Sequence, residues 1–317
     1  MRFRNVSALL VAAACVAALT GCSKQQSTSQ SGKKLSFVLC PKSLNNPYYD
    51  NVKTGMNEAA KRLGVEAVFV APVDADAAKQ AAMIEDVVTR GADGIAVSAF
   101  DPDSVIAPIN AGRKKGIPMI TFDSDAPKSD RICFIGADSY KAGVEAGKAM
   151  VKLLNGQGKI ITITGGLGSY NLNQRIKGFN DAIKSSPGMK LVGSPLPCND
   201  SQAIAHQLIE DSLKAHPEVN AIFANGLWAV IPAGNILLNT GRAGKVVVVG
   251  FEALKPELEL VKKGGVQALI GLRPEEIGSK SVETLYDIKM GKMPKSKTIM
   301  TGLDVITKDN VDQFLKK

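Results

Sequence analysis

Histidine is nearly missing from this sequence. His206 and His216 are the only two in 317 residues, and both fall in or beside one helical segment. No sequence neighbour completes a hydrolytic triad around either, and no HExxH, P-loop lysine motif or dinucleotide GxGxxG occurs. Clustered His or Cys for a metal is missing too. Catalysis, a cofactor and a resident metal are therefore not expected. Five cysteines form no framework: Cys15 and Cys22 belong to the N-terminal segment, and Cys40, Cys133 and Cys198 are an odd set without CxxC spacing. Single buried thiols are the default, with a Cys40–Cys198 pairing left open. Beyond the N-terminus no long apolar run appears, which excludes a later membrane-spanning helix. The net charge is +9, yet no arginine stripe interleaved with aromatics accompanies it, so nucleic acid is not an expected partner. A mildly basic surface near anionic lipid accounts for that charge.

The N-terminus carries what the rest lacks. Arg2 and Arg4 precede an apolar stretch over 6–19, too short to span a bilayer comfortably and laid out like a cleavable signal. It ends in Leu19-Thr20-Gly21-Cys22, which resembles a bacterial lipobox and makes Cys22 the expected acylated first residue of the mature chain. Cleavage of residues 1–21 removes Arg2 and Arg4 and no acids, which lowers the net charge to +7. Residues 22–33, rich in Ser, Gln and Lys, have too few apolar side chains to build a core and read as a tether.

From residue 34 onward the pattern is strand, helix, strand, helix. Strand-like runs at 35–39, 65–70, 94–97 and 118–122 alternate with helical spacing at 48–63, 75–90 and 102–115, each helix followed by Gly64, Gly91 or Gly116. Short Val/Ile runs without alternation are expected where helices cover both faces of a parallel sheet. After a weaker strand at 131–135, the rhythm restarts. It continues through strands at 159–164, 189–192, 221–224, 245–249 and 267–270, with helices at 140–154, 173–185, 203–215, 229–239, 254–263 and 274–290. An extended tail at 298–306 precedes a short helix at 309–314. The break falls near 136–139, and the reading is two α/β halves in tandem.

Ligands bind at the carboxyl ends of strands in such sheets, so polar residues there are the candidates. The first half offers Lys42, Asn45, Asn46, Tyr48 and Tyr49, then Ser98, then Asp123, Ser124 and Asp125. Asn46 is placed to cap the helix that Pro47 opens. The second half offers the glycine-rich turn 165–170, Arg175, Asn199, Asp200, Asn225, Trp228 and Glu252. Each also has a structural use: Asp123 suits a turn, Arg175 could pair with Asp181, Trp228 could be core, and Glu252 could cap a helix.

Five segments stand out together: Leu44-Asn45-Asn46-Pro47-Tyr48-Tyr49, Gly116-Ile117-Pro118-Met119-Ile120-Thr121-Phe122-Asp123, Arg175-Ile176-Lys177-Gly178-Phe179, Val249-Gly250-Phe251-Glu252 and Pro274-Glu275-Glu276-Ile277-Gly278. In this order they resemble periplasmic substrate-binding proteins of ABC importers, of the ribose/galactose-binding type. The resemblance implies the type I periplasmic-binding-protein fold, with two Rossmann-like lobes of parallel sheet joined by a three-crossing hinge. One lobe would hold 34–137 with 273–300, the other 138–272 with 301–317. It also implies ring stacking by Tyr48 and Tyr49 and hydrogen bonds to sugar hydroxyls from Asp123 and Arg175.

Departures from the family pattern leave the ligand open. Ser98 stands where Asn is common, Ser124 where a ribose binder has Arg, and Gly226 where Asn is frequent, with Asn225 beside it. Glu252 replaces the usual Asp, and Leu272 a polar hinge residue. The expected ligand set is Asn46, Tyr48, Tyr49, Ser98, Asp123, Ser124, Arg175, Asn225, Trp228 and Glu252. The expected function is capture of a small polar solute, a monosaccharide or related polyol, and delivery to the transmembrane subunits of a permease. The expected form is a monomer, lipid-anchored in the cell envelope. The alternatives are a ligand-sensing receptor for a chemoreceptor or sensor kinase, and a binder of a nucleoside or an autoinducer-like compound.

Overall fold

Residues 34–316 are described by the structure, a computed structural model. The expected signal segment 1–21, the expected acylation site Cys22 and the expected tether 22–33 lie outside the described residues. In chain order the first run of elements is β1 (Ser36–Cys40), α1 (Tyr48–Leu63), β2 (Glu66–Phe69), α2 (Ala77–Arg90), β3 (Gly94–Val97), α3 (Ile106–Lys114), β4 (Met119–Phe122) and β5 (Phe134–Gly136). The second run is α4 (Ser139–Leu153), β6 (Gln157–Thr164), α5 (Tyr170–Ile183), β7 (Gly188–Leu191), β8 (Leu196–Pro197), α6 (Gln202–Ala215), β9 (Ala221–Ala224), α7 (Leu227–Asn239), β10 (Val247–Phe251), α8 (Lys255–Lys263) and β11 (Ala268–Gly271). The chain closes with α9 (Pro274–Lys289), β12 (Thr298–Met300), β13 (Asp304–Thr307) and α10 (Val311–Leu315).

Two sheets result. One has the order β12-β5-β4-β3-β1-β2 and is parallel throughout. The other runs β13-β11-β10-β9-β6-β7, with β8 on β6 and only β13 antiparallel. The chain passes between sheets after β5, after β11 and after β12, which makes three crossings. The expected single extended tail is thus two short strands in two different sheets, and β8 was not legible at all. Only long-range pairing separates such short segments: Ile299 sits beside Ile135, while Ile306 sits beside Leu269.

Local chemistry explains most element ends. Asp76 and Asp138 cap α2 and α4, accepting from the N–H of Lys79 and Lys141 at 2.9 Å each. Gly64 and Gly91 close α1 and α2 in left-handed conformation. Central strands are buried on both faces, as helix-covered parallel sheets require. Four helices begin earlier than their spacing indicates: α4 and α6 by one residue, α5 at Tyr170 rather than 173 and α7 at Leu227 rather than 229. The added residues of α5 and α7 lie at the carboxyl edge of the second sheet. Among the described residues no helix is long and apolar enough to cross a membrane.

Each sheet carries one helix pair in near backbone contact. A Cβ on Gly55 would stand 1.9 Å from the Glu275 carbonyl oxygen, and one on Gly278 1.9 Å from that of Val52, which locks α1 against α9. In the second half Gly143 and Gly178 meet the carbonyls of Arg175 and Tyr140 at 2.0 and 2.1 Å in the same way, between α4 and α5. Of these helices, α1 carries Tyr48 and Tyr49 and α5 carries Arg175. Gly278→Ala is expected to push α9 off α1 and cost about 1–3 kcal/mol. Chemical denaturation checks it, and an unchanged midpoint would contradict the close packing.

Candidate functional site

The segment after β1 reaches the carboxyl edge of the first sheet and turns into α1. Asn46 Oδ1 accepts from the Tyr48 N–H at 3.1 Å, so its amide is engaged in starting the helix. Pro47 has helical dihedrals but precedes the first hydrogen-bonded turn, so the helix begins at Tyr48. This turn buries both tyrosines, which meet edge to face with centroids 5.3 Å apart. Tyr49 Oη donates to Asp123 Oδ2 at 2.9 Å and lies 3.0 Å from Ser98 Oγ, which itself donates to the same carboxylate oxygen at 2.9 Å. Asp123 therefore receives two hydroxyl donors from below. It follows β4 at φ 56°, a left-handed conformation that costs a non-glycine residue of order 1–3 kcal/mol. Burial chiefly, helped by the Asp123 charge, holds both phenols well above their ordinary pKa.

Gln80 ties the loops of this half together. Its Nε2 donates to the carbonyls of Pro41 and Ser98 at 2.9 and 2.8 Å, and its Oε1 accepts from the Phe100 N–H at 3.0 Å. Nothing in its helical position distinguished it from a surface glutamine. Asp125 turns the other way, pairing with Arg131 and accepting from Thr121 Oγ1 at 2.6 Å, so it braces the loop after β4.

On the second sheet Arg175 is buried on α5, with Nη1 3.4 Å from Glu252 Oε1 and its guanidinium carbon 4.2 Å over the Phe251 ring. Its alternative partner, Asp181, is taken by Lys177 at 2.8 Å. Glu252 follows β10 at φ 80°, again left-handed. Burial raises its carboxyl to about 7 against the pull of Arg175, with the Asp123 charge adding to the rise.

Between the sheet edges lies a narrow cleft with about 30 Å³ of free space. Asn46, Tyr48, Tyr49, Asp123, Arg175, Trp228 and Glu252 line it. Ser98, Ser124 and Asn225 do not reach the lining. Ser98 stands behind Asp123 and Tyr49. The backbone of Ser124 is tied to Ala99, and Asn225 Nδ2 donates to Thr164 Oγ1 and the Leu172 carbonyl, both at 3.1 Å. Strand-end position alone does not say which way a short side chain turns.

Three polar lining residues lay outside the expected ligand set: Lys42, Asn171 and Asp200. Lys42 and Asp200 were visible as strand-end residues. Asn171 was hidden because the first turn of α5 reads as loop. Lys42 Nζ donates to Asn171 Oδ1 at 2.8 Å across the cleft, and burial lowers the ammonium pKa. Ser169 Oγ donates to the Phe100 carbonyl at 3.0 Å, a second bond between the halves. Tyr48 Oη, Arg175 Nε and Asp200 Oδ1 are buried in the cleft without partners. Together they present a donor, an acceptor and a group that can be either. Cys40, Cys133 and Cys198 are buried free thiols, so among the described residues no disulfide braces the halves. Among the described residues no cluster of acids, His or Cys could hold a metal.

Behind Glu252, fully buried Glu257 has both carboxylate oxygens without partners, and burial raises it to about 8, with the Glu252 charge contributing. A carboxyl raised on folding binds more protons folded than unfolded, so stability falls as pH rises from about 4.5 to about 8. Glu257→Gln should leave stability at pH 5 nearly unchanged and raise it at pH 9. Urea midpoints at the two pH values check this, and equal shifts at both would refute it.

Comparison with known proteins agrees with this geometry. The family described as periplasmic binding protein domain matches residues 37–293. A solute-binding protein of an ABC transporter from Burkholderia graminis, in complex with D-arabinose, is 34% identical with a TM-score of 0.84, covering 87% of this chain and 96% of its own. The ribose import binding protein RbsB of Salmonella typhimurium is 28% identical over 264 residues, 83% of this chain and 88% of that one. The D-allose-binding periplasmic protein of Escherichia coli is 25% identical over 267 residues, 81% of this chain and 86% of that one. With two parallel-sheet lobes around one polar cleft, and a family match across most of its length, the chain belongs to the periplasmic binding protein domain family.

Proposed function

We propose that this chain is the solute-binding component of an ABC import system. It takes a monosaccharide or related polyol in the cleft and delivers it to the transmembrane subunits of a permease, without turning it over. The observation that carries this reading is the mixed set of buried, unpartnered groups on both walls, Tyr48 Oη, Arg175 Nε and Asp200 Oδ1. Leaving such groups buried and unsatisfied costs about 1–3 kcal/mol each, and a polyhydroxylated ligand satisfies all three, since each hydroxyl both donates and accepts. The imported sugars named for the relatives point the same way.

In this reading Asn46, Tyr48, Tyr49, Asp123, Arg175, Trp228 and Glu252 contact ligand, and Ser98 positions Asp123 from behind. Residues 34–137 with 273–300 act as one lobe and 138–272 with 301–317 as the other. Ligand shifts the lobes toward closure through its better fit to the closed cleft. Acylation of Cys22 holds the monomeric receptor at the membrane surface through the tether 22–33.

Calorimetric titration with D-ribose, D-arabinose, D-allose and D-galactose tests the ligand class. At least one should bind and raise the melting temperature by linkage. Arg175→Ala, which strips a buried charge from its partners, should weaken that sugar about 30-fold or more. Silence across the panel would overturn the reading. For the anchor, Cys22→Ser should move the protein from the membrane fraction to the soluble fraction, and a variant that still sediments with membranes would refute acylation.

A further inference from the structure

The segment between β8 and α6 contains two successive non-glycine residues in left-handed conformation, Asn199 at φ 49° and Asp200 at φ 60°. Each such residue is strained, and Asn and Asp are the types that bear it most easily. The turn does not use the Asp200 side chain to hold itself. Cys198 N donates to the Thr164 carbonyl at 2.7 Å, Ser201 N to the Cys198 carbonyl at 2.9 Å, and Ser201 Oγ caps α6 through the Ile204 N–H at 3.4 Å. The twist instead turns Asp200 inward onto the cleft lining. As a residue Asp200 is half-buried, yet its Oδ1 is sealed from solvent and has no partner. Room for that oxygen is made by Gly165, where a Cβ would stand 2.0 Å away.

Two cations stand near it: Lys42 gives one N–H to Asn171, and Arg175 gives Nη1 to Glu252 and lies over the Phe251 face. Asp123, Asp200 and Glu252 bring three carboxyl groups to one small lining against those two cations. A ligand carboxylate or phosphate would meet three acids against only two cations. A ligand hydroxyl can donate to Asp200 in a short, charge-assisted bond.

We propose that Asp200 is a specificity-determining ligand contact: its free oxygen accepts a hydroxyl proton from the bound compound, and with the neighbouring carboxyl groups it makes the site take neutral polyhydroxy compounds and reject sugar acids and sugar phosphates. This rests on the solute-binding reading and narrows it to one charge class of ligand.

Calorimetry on the wild-type chain and on Asp200→Asn tests it, with D-arabinose, D-ribose and D-galactose each titrated beside D-arabinonate, D-ribonate and D-galacturonate. In the wild type a neutral sugar should bind at least about 100-fold tighter than its acid. Asp200→Asn keeps the shape and removes the charge, so it should weaken the neutral sugar about 10-fold and shrink the neutral-to-acid ratio by a similar factor. Asp200→Ser serves as a second variant should the first melt early. A turn-forming role alone would shift both ligands together, so an unchanged ratio in both variants overturns the proposal, as does an acid that binds the wild type as well as its sugar. If no sugar in either series binds the wild type, the solute-binding reading fails first and this one falls with it.

Discussion

The buried Arg175 guanidinium organises the second half of the cleft. It lies over the Phe251 ring and reaches the Glu252 carboxylate, so one side chain joins α5 to the end of β10. A buried charge pair of this kind is weak evidence for stability, because desolvation offsets most of the attraction. Its worth lies in fixing position. Glu252 is held in a left-handed conformation that would relax elsewhere, and Arg175 keeps its Nε without a partner.

That position depends on packing far simpler than the site. Gly143 and Gly178 let α4 and α5 approach until a methyl group would collide with backbone, and Gly55 and Gly278 do the same for α1 and α9. Each half therefore presents its cleft-lining helix from a rigid pair rather than from a loop. In the first half the same rigidity lets Tyr49 and Ser98 hold the strained Asp123 from beneath. The two walls are built alike: a left-handed acid at a strand end, supported by a side chain from a neighbouring helix.

Across the cleft, Lys42 to Asn171 and Ser169 to the Phe100 carbonyl join the halves directly. Close contact extends along the glycine-rich turn, where a Cβ on Gly166 would stand 2.7 Å from the Phe100 ring. Side chains larger than hydrogen there would hold the walls apart. The turn thus serves approach between lobes rather than phosphate binding, which a lone glycine-rich loop only weakly signals.

Much of this was legible from the chain alone. Buried strands are uninterrupted apolar runs, helices follow with caps and terminal glycines, and cleft-lining residues cluster where one gives way to the other; these are local rules, and Asn46, Tyr48, Tyr49, Asp123 and Glu252 obey them. What the tertiary structure decided is orientation and partnership. Ser98 and Asn225 sit at strand ends yet turn to Asp123 and to Thr164, because nearby groups claim their hydrogen bonds first. Asn171 enters the cleft only because α5 begins a turn earlier than its apolar spacing shows, and Asp200 only because two successive residues are held at positive φ over a glycine. The tail divides between two sheets for the same reason: three or four residues carry too little pattern to choose a partner, and the choice is made by the strands already waiting at each edge.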